Sequence, residues 1–176
     1  MINGAGGGVG SFAIQIAKTS GAEVTGVDST EKLDMMRSLG ADHVIDYTQQ
    51  DFTKSGQHYD LILDVQGHHS IFDYRRVLTP AGIYVMVGGA TALVNQVIFL
   101  APFIALTSNK KMGLLLHKAN RGLAYMKELF EAGKIVPVID KRYLLSEVAE
   151  ALRYFAAGHV KGKIIISLAE VDSRKL

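Results

Sequence analysis

The residues with the clearest chemical capacity stand at the start of the chain, Asn3-Gly4-Ala5-Gly6-Gly7-Gly8-Val9-Gly10, spaced as Ala5-x-Gly7-x-x-Gly10. Glycines permit a tight backbone turn and let an anion's oxygens come close without meeting a Cβ. A helix that begins directly behind them adds unpaired N–H groups and a partial positive charge. The combination makes a cradle for a diphosphate. A second element lies downstream: Glu23-Val24-Thr25-Gly26-Val27-Asp28 is apolar and ends in an acid, and 28 − 10 puts that acid 18 residues past the last glycine. An acid about 20 residues beyond such a turn accepts hydrogen bonds from ribose hydroxyls. Glycine turns also serve plain strand–helix packing, but the conjunction with Asp28 predicts a dinucleotide site.

Asp28 bears on which dinucleotide is held. A carboxylate there bonds a free 2′-hydroxyl and repels a 2′-phosphate, which favours NAD. Ser29, Thr30 and Lys32 pull the other way, because hydroxyls and an ammonium can hold a phosphate. Ser29 and Thr30 also suit helix N-caps, and Lys32 suits a solvated helix face. The expectation is an NAD(P) site leaning to NAD. Ligands of an open parallel sheet lie outside the carboxyl ends of its strands. Those ends here include Tyr47, placed either to stack on or bond the adenosine or to sit half-buried at its strand end, the stretch Val65-Gln66-Gly67, and Gly88-Gly89, which let backbone groups reach a nicotinamide carboxamide or simply turn the chain.

The elements that must position these residues are legible as alternation. Met1-Ile2-Asn3 is a short strand, and a helix from Gly10 carries Phe12, Ile14, Ile16 and Ala17 before Ser20-Gly21 closes it. A strand ends at Asp28; a second helix with Leu33, Met35, Met36 and Leu39 stops at Gly40; His43–Tyr47 is a third strand. Residues 48–58 are polar loop or short helix, and Tyr59–Val65 is a strong strand. A helix through Phe72–Leu78 reaches the turn signal Thr79-Pro80-Ala81-Gly82, and Ile83–Val87 is the next strand. Strands and helices alternating at this spacing predict an α/β fold: a doubly wound parallel sheet with helices on both faces, of the Rossmann type.

Beyond Gly89 the rhythm changes. The apolar segment 92–106 is shorter than the ~20 residues of a spanning helix and is interrupted by Asn95, Gln96 and Pro102, so it reads as a buried or interface-covering helix pair. Then follow a strand at Lys111–Leu116, a helix over about Arg121–Ala132, an extended stretch at Ile135–Ile139, a helix at Leu145–Leu152 and a strand at Lys163–Leu168. Asp172–Leu176 is expected to fray.

Composition bounds the function classes. A net charge of +2 with no Lys/Arg run longer than two gives no footing for nucleic acid or a membrane surface. The chain has no cysteine, which excludes disulfides and thiolate metal sites and fits a reducing, cytoplasmic setting. No charged n-region precedes an apolar stretch, so no signal peptide is expected. His68-His69 diverge in direction and form no metal set, and no Tyr is followed by Lys four residues on. Neither a Gly-x-Ser-x-Gly elbow nor a Gly-Lys-Ser/Thr phosphate loop is present.

The order Asn3–Gly10, Gly26-Val27-Asp28, Leu39–Tyr47, Tyr59-Asp60, Asp64–Gly67, Gly88-Gly89, Glu131–Ile135 and Gly158–Lys163 resembles the medium-chain dehydrogenase/reductase superfamily, in its quinone-oxidoreductase-like and zinc-type alcohol-dehydrogenase-like branches. The resemblance implies NAD(P)H-dependent hydride transfer to or from a carbonyl, alcohol, quinone or activated double bond. It implies pyrophosphate contacts at Gly7, Gly8, Val9 and Gly10. Asp28, Ser29, Lys32 and Tyr47 would surround the adenosine, and Val65 with Gly88-Gly89 the nicotinamide side. Lys32 and Tyr47 resemble the 2′-phosphate contacts of quinone-oxidoreductase-like members, whereas Asp28 resembles the NAD-type alcohol dehydrogenases. Residues 1–134 would be the cofactor domain. Residues 135–176 resemble the segment that returns to a GroES-like catalytic domain, so the chain is expected to be a C-terminal portion of such an enzyme, with its catalytic residues and any zinc ligands elsewhere. A small-molecule substrate is expected, and the apolar 92–106 surface suggests a homo-oligomer or domain interface. Two other readings stand beside this one: a non-catalytic dinucleotide-binding module, and an S-adenosylmethionine-binding methyltransferase-like domain.

Overall fold

The structure is a computed structural model and describes residues 1–116 and 118–168. Six strands form one sheet: β1 Ile2–Asn3, β2 Thr25–Asp28, β3 His43–Asp46, β4 Tyr59–Asp64, β5 Leu78–Met86 and β6 Lys111–Leu114. Their order is β3-β2-β1-β4-β5-β6, and every pair is parallel. The strand order therefore reverses at the β1/β4 boundary, the place beyond whose carboxyl ends open parallel sheets bind ligands. β1 is only two residues long, yet it is central, pairing Ile2 with Gly26 on one side and Leu63 on the other.

Alternation of side chains across the strands builds two cores. Ile2, Val24 and Leu63 pack with Ile14 of α1 (Gly10–Thr19) and Met36 of α2 (Leu33–Ser38) on one face. Val27, Ile45, Ile62, Tyr84 and Met86 pack on the other face with Ile71 and Tyr74 of α3 (Ile71–Arg76) and with α4 (Thr91–Thr107). The helix α1 ends where the sequence places its stop, with Gly21 at φ +72°.

Two elements differ from expectation. The 92–106 segment is one helix, α4, rather than a pair. Leu93, Val97, Ala101 and Ile104 recur at helical spacing straight through Pro102, and their burial offsets the ~3 kcal/mol that an interior proline costs. Its other face leaves Ile98, Phe99, Phe103 and Leu106 exposed. Thr79–Gly82, read as a turn before the next strand, lies inside β5 as an irregularity: Tyr59 pairs Leu78 while Leu61 pairs Ile83. The turn residues bulge out of a strand that continues on both sides.

After α5 (Leu123–Glu131), β7 (Ile139–Leu144), α6 (Val148–Ala156) and β8 (Lys163–Ser167) form a small parallel β-α-β unit. The segment leading into it is tied to α1 through buried Gln15, whose amide donates to the Val136 carbonyl at 3.0 Å and whose oxygen accepts the Val136 N–H at 2.8 Å. Asp172–Leu176, expected to fray, lies outside the described residues. Among the described residues no helix is long and apolar enough to cross a membrane.

The 48–58 stretch contains a 3₁₀ turn, Phe52–Lys54, capped by Asp51. The Thr53 hydroxyl, then Lys54, the Thr53 N–H and His69 hold the Asp51 carboxyl down at about 2, against the usual 3.8, and outweigh its partial burial. A carboxyl whose folded pKa is depressed stabilises the fold above its unfolded pKa and loses that contribution as pH falls through the folded one. Thermal stability is therefore expected to drop between pH 4 and pH 2, and Asp51→Asn to flatten that drop; an unchanged acid slope in the variant counts against the assignment.

Candidate dinucleotide site

The chain reverses immediately after β1. Gly4 takes φ +77°, and a Cβ on it would stand 3.0 Å from Gln66. The N–H groups of Gly4 and Ala5 both donate to the Val27 carbonyl, at 3.0 and 3.1 Å, which ties the turn to β2. Gly6 N–H donates to Asp28 Oδ2 at 2.8 Å, and Gly7 N–H reaches back to the Gly4 carbonyl at 3.3 Å. Beyond these, the N–H groups of Gly8, Val9 and Gly10 have no partner among the described residues. No side chain caps α1 and no acid lies in its first turn. The hydroxyl of Ser11 is buried there without a partner among the described residues. The turn thus ends in a row of free donors at the positive end of a helix, which is what an anion requires.

The glycines divide their work. A Cβ on Gly10 would meet the Gly4 carbonyl oxygen at 2.2 Å and Ala5 Cα at 2.4 Å, so Gly10 allows α1 to close on β1. A Cβ on Gly7 would touch nothing nearer than 3.5 Å, leaving its outer side open for approach. Gly6, absent from the expected contacts, lies against Lys32 and Asp28.

Asp28 is buried and fully engaged: Oδ2 accepts from Gly6, and Oδ1 accepts from the Ser29 N–H at 2.9 Å with Lys32 Nζ at 3.2 Å. Lys32 is buried too, and donates to the Gly158 carbonyl at 3.1 Å. It is no solvated helix residue. Ser29 stands at the N-cap of the following 3₁₀ turn, but its side chain makes no cap bond. Thr30 is not a cap either. Its hydroxyl bonds Asp46, and that bond, then Thr48, holds the Asp46 carboxyl below the usual carboxylate range against its burial. Tyr47 is 58% exposed, and its N–H donates to the Asp28 carbonyl at 3.2 Å.

At the carboxyl ends of β4 and β5 the structure brings Val65, Gly88 and Gly89 together. A Cβ on Gly88 would stand 3.0 Å from the Val65 carbonyl oxygen. Gly89 takes φ +145° and would place a Cβ 2.5 Å from the Gly67 oxygen. Gly67 N–H donates to the Gly88 carbonyl at 3.1 Å. Beneath this turn Asp64 is wholly buried, accepting from Asn3 Nδ2 at 2.8 Å and from the Tyr84 hydroxyl at 2.7 Å. Burial, followed by the Asp64 charge, pushes the Tyr84 phenol far above its ordinary value. Sequence reasoning missed Asn3 and Asp64 as a pair, because nothing in spacing shows that two strand-end side chains meet. His69 packs edge-to-face on Phe52 with ring centroids 5.0 Å apart, a packing role. Among the described residues no three His, Cys, Asp or Glu side chains gather as a metal-holding group.

The expected adenosine residues and the expected nicotinamide residues thus line one edge of one sheet, with the glycine turn between them. The family model described as a zinc-binding dehydrogenase matches residues 39–166. The chain belongs to this family, within the medium-chain dehydrogenase/reductase superfamily. It is 32% identical over 189 residues to a mitochondrial NAD(P)H oxidoreductase of Drosophila melanogaster, covering 97% of this chain and 45% of that one. It is 37% identical over 163 residues to an NAD-dependent alcohol dehydrogenase of Sulfurisphaera tokodaii, covering 86% and 45%. The quinone oxidoreductase structure from Coxiella burnetii superposes with a TM-score of 0.79 at 28% identity, over 96% of this chain and 52% of that one. The chain spans about half the length of the curated relatives it matches. As a zinc-binding dehydrogenase-family chain, it carries the parallel sheet and glycine turn of the cofactor-binding part.

Proposed function

We propose that this chain is the dinucleotide-holding part of an NAD(P)-dependent oxidoreductase acting on a small carbonyl, alcohol, quinone or activated alkene. The observation that carries the reading is the glycine turn: Asp28 pins it through Gly6, while the N–H groups of Gly8, Val9 and Gly10 stay free at the start of α1. The residues fit the cofactor. The free donors would hold the diphosphate, Ser29 and Tyr47 would flank the adenosine, and Val65 with Gly88-Gly89 would border the nicotinamide. The nicotinamide supplies hydride transfer when bound. This chain's own residues bind and orient it.

Within that reading we favour NAD over NADP. Lys32, the cation suited to a 2′-phosphate, spends its ammonium on Asp28 and the Gly158 carbonyl. The Asp28 charge beside it disfavours a further anion. Titrations of NADH and NADPH followed by nicotinamide fluorescence should show saturable binding with NADH the tighter. Asp28→Ala, which frees Gly6 and strands Lys32, should weaken NADH at least about tenfold. Tighter NADPH overturns the preference. Binding of S-adenosylmethionine without either dinucleotide overturns the reading itself. The non-catalytic alternative is separated by giving the full-length protein NAD(P)H with quinone, enal and aldehyde acceptors, where binding without turnover would support it.

A further inference from the structure

Two segments remote in sequence hold each other residue for residue beside the adenosine end. The turn behind β2 runs Ser29-Thr30-Glu31-Lys32, and the loop that leaves α6 runs Gly158-His159-Val160-Lys161-Gly162. Lys32 Nζ donates to the Gly158 carbonyl at 3.1 Å, and His159 Nδ1 lies 2.9 Å from Glu31 Oε1. Consecutive residues of one segment thus meet consecutive residues of the other, across 126 and 128 positions of chain. Gly158 takes φ +80°, which turns the backbone off the end of α6 and brings its carbonyl to the ammonium.

The rest of the loop is anchored independently. Val160 is buried, Lys161 N–H donates to Asp140 at 3.0 Å, and Gly162 N–H donates to the Gly6 carbonyl at 2.9 Å. Lys163 follows over Gly8, where an added Cβ would stand 2.7 Å from its Nζ. Gly158 and His159 lack such anchors. Apart from the bond of Gly158 N–H to the Phe155 carbonyl, their polar contacts among the described residues are to Lys32 and Glu31. The Glu31 and His159 side chains are 47% and 56% exposed, and an exposed pair of this kind is weak, so this short stretch opens at small cost. The Lys32 side chain, by contrast, is only 10% exposed. Of its three donors, one faces Asp28 and one faces Gly158. A 2′-phosphate would need those donors, whereas a free 2′-hydroxyl would not.

We propose that the Glu31–His159 pair is a latch that sets cofactor preference: closed, it keeps the Gly158 carbonyl on Lys32 and withholds the ammonium from a 2′-phosphate. His159 is a positioning residue in this role, acting through Gly158 and Lys32 without touching the cofactor. The inference rests on the dinucleotide reading above and places part of its NAD preference in the C-terminal unit, separate from the Asp28 charge.

The test titrates NADH and NADPH on the parent chain, His159→Ala and His159→Asn. Removing the imidazole should raise NADPH affinity about two- to fivefold and leave NADH within error, the shift that an exposed pair imposes. His159→Asn, whose amide takes the place of Nδ1 against Glu31, should return both affinities to the parent's. In a Lys32→Gln background the gain from His159→Ala should vanish, because no ammonium is there to release. The sign of the change decides between roles. An imidazole that met the phosphate itself would give weaker NADPH binding on its removal. Equal losses for both dinucleotides would mean that the loop merely props the turn. Either result overturns the proposal, as does unchanged NADPH binding in His159→Ala or a gain that survives Lys32→Gln. A parent that binds NADPH the tighter overturns the latch too, with the dinucleotide reading intact. A parent that binds neither dinucleotide would instead sink that reading.

Discussion

Gly10→Ala is expected to destabilise the chain by about 3 kcal/mol and to abolish NADH binding with it. On propensity alone the substitution should help, since alanine in a helix is worth roughly 0.5–1 kcal/mol over glycine. The packing term is larger and of opposite sign. The added methyl would stand 2.2 Å from the Gly4 oxygen and 2.6 Å from the Ala5 carbonyl carbon, both backbone atoms of the β1–α1 turn. No rotamer change relieves contact with backbone, so α1 must move away from β1. That movement opens the core around Ile14 and Met36, which are wholly buried. Gly7→Ala supplies the contrast. Its methyl would meet nothing closer than 3.5 Å, so stability should hold within about 0.5 kcal/mol while NADH affinity falls, because the methyl points to open space. Urea denaturation with fluorescence titration separates the two. Equal stability for Gly10→Ala and the parent would refute the packing role, and unaltered affinity for Gly7→Ala would refute the open approach.

That division among glycines marks what could be read in advance. The spacing Ala5-x-Gly7-x-x-Gly10 shows that a turn and a helix start are there, and strand–helix alternation places Asp28, Tyr47, Val65 and Gly88-Gly89 on one sheet edge, where the structure has them. The 3.6-residue recurrence of Leu93, Val97, Ala101 and Ile104 was equally visible, but Pro102 is a strong enough breaker to suggest two helices where packing sustains one. Which partner a polar group takes was not visible. Asp28 suits a ribose by position, yet its bonds to Gly6 and Lys32 depend on the turn's detailed path. Thr30 looks like a cap until Asp46 is found beside it. Lys163 over Gly8 and Gln15 against Val136 join segments more than a hundred residues apart, and local propensity carries no information about such pairings.

The second large effect concerns charge beneath the crevice. Asp64→Ala is expected to cost about 3 kcal/mol or more, whereas Asp64→Asn should cost about 1 kcal/mol or less. The alanine variant leaves the Tyr84 hydroxyl buried without an acceptor and takes from the Asn3 amide one of its two, the Gln66 carbonyl at 3.0 Å remaining, and a buried polar group so stranded costs about 1–3 kcal/mol. Asparagine keeps a hydrogen bond to each. Its oxygen accepts from Asn3 Nδ2, and its amide donates to the Tyr84 oxygen once that hydroxyl rotates. What asparagine removes is only the buried negative charge, whose desolvation was unfavourable from the start. Tyr84→Phe should therefore hurt the parent, where it strands a carboxylate oxygen, more than it hurts the Asp64→Asn background. A double-mutant cycle by urea denaturation measures that difference as a coupling of about 0.5–3 kcal/mol. Additive effects within error would mean the Tyr84 bond carries no weight. Because the Asp64 carbonyl also receives the Val87 N–H at 2.7 Å, loosening this residue shifts β5 against β4. The Val65 and Gly88-Gly89 turns ride on those two strands. Asp64→Ala should accordingly weaken nicotinamide-bearing ligands more than ADP-ribose, and equal losses for both would confine Asp64 to holding the fold.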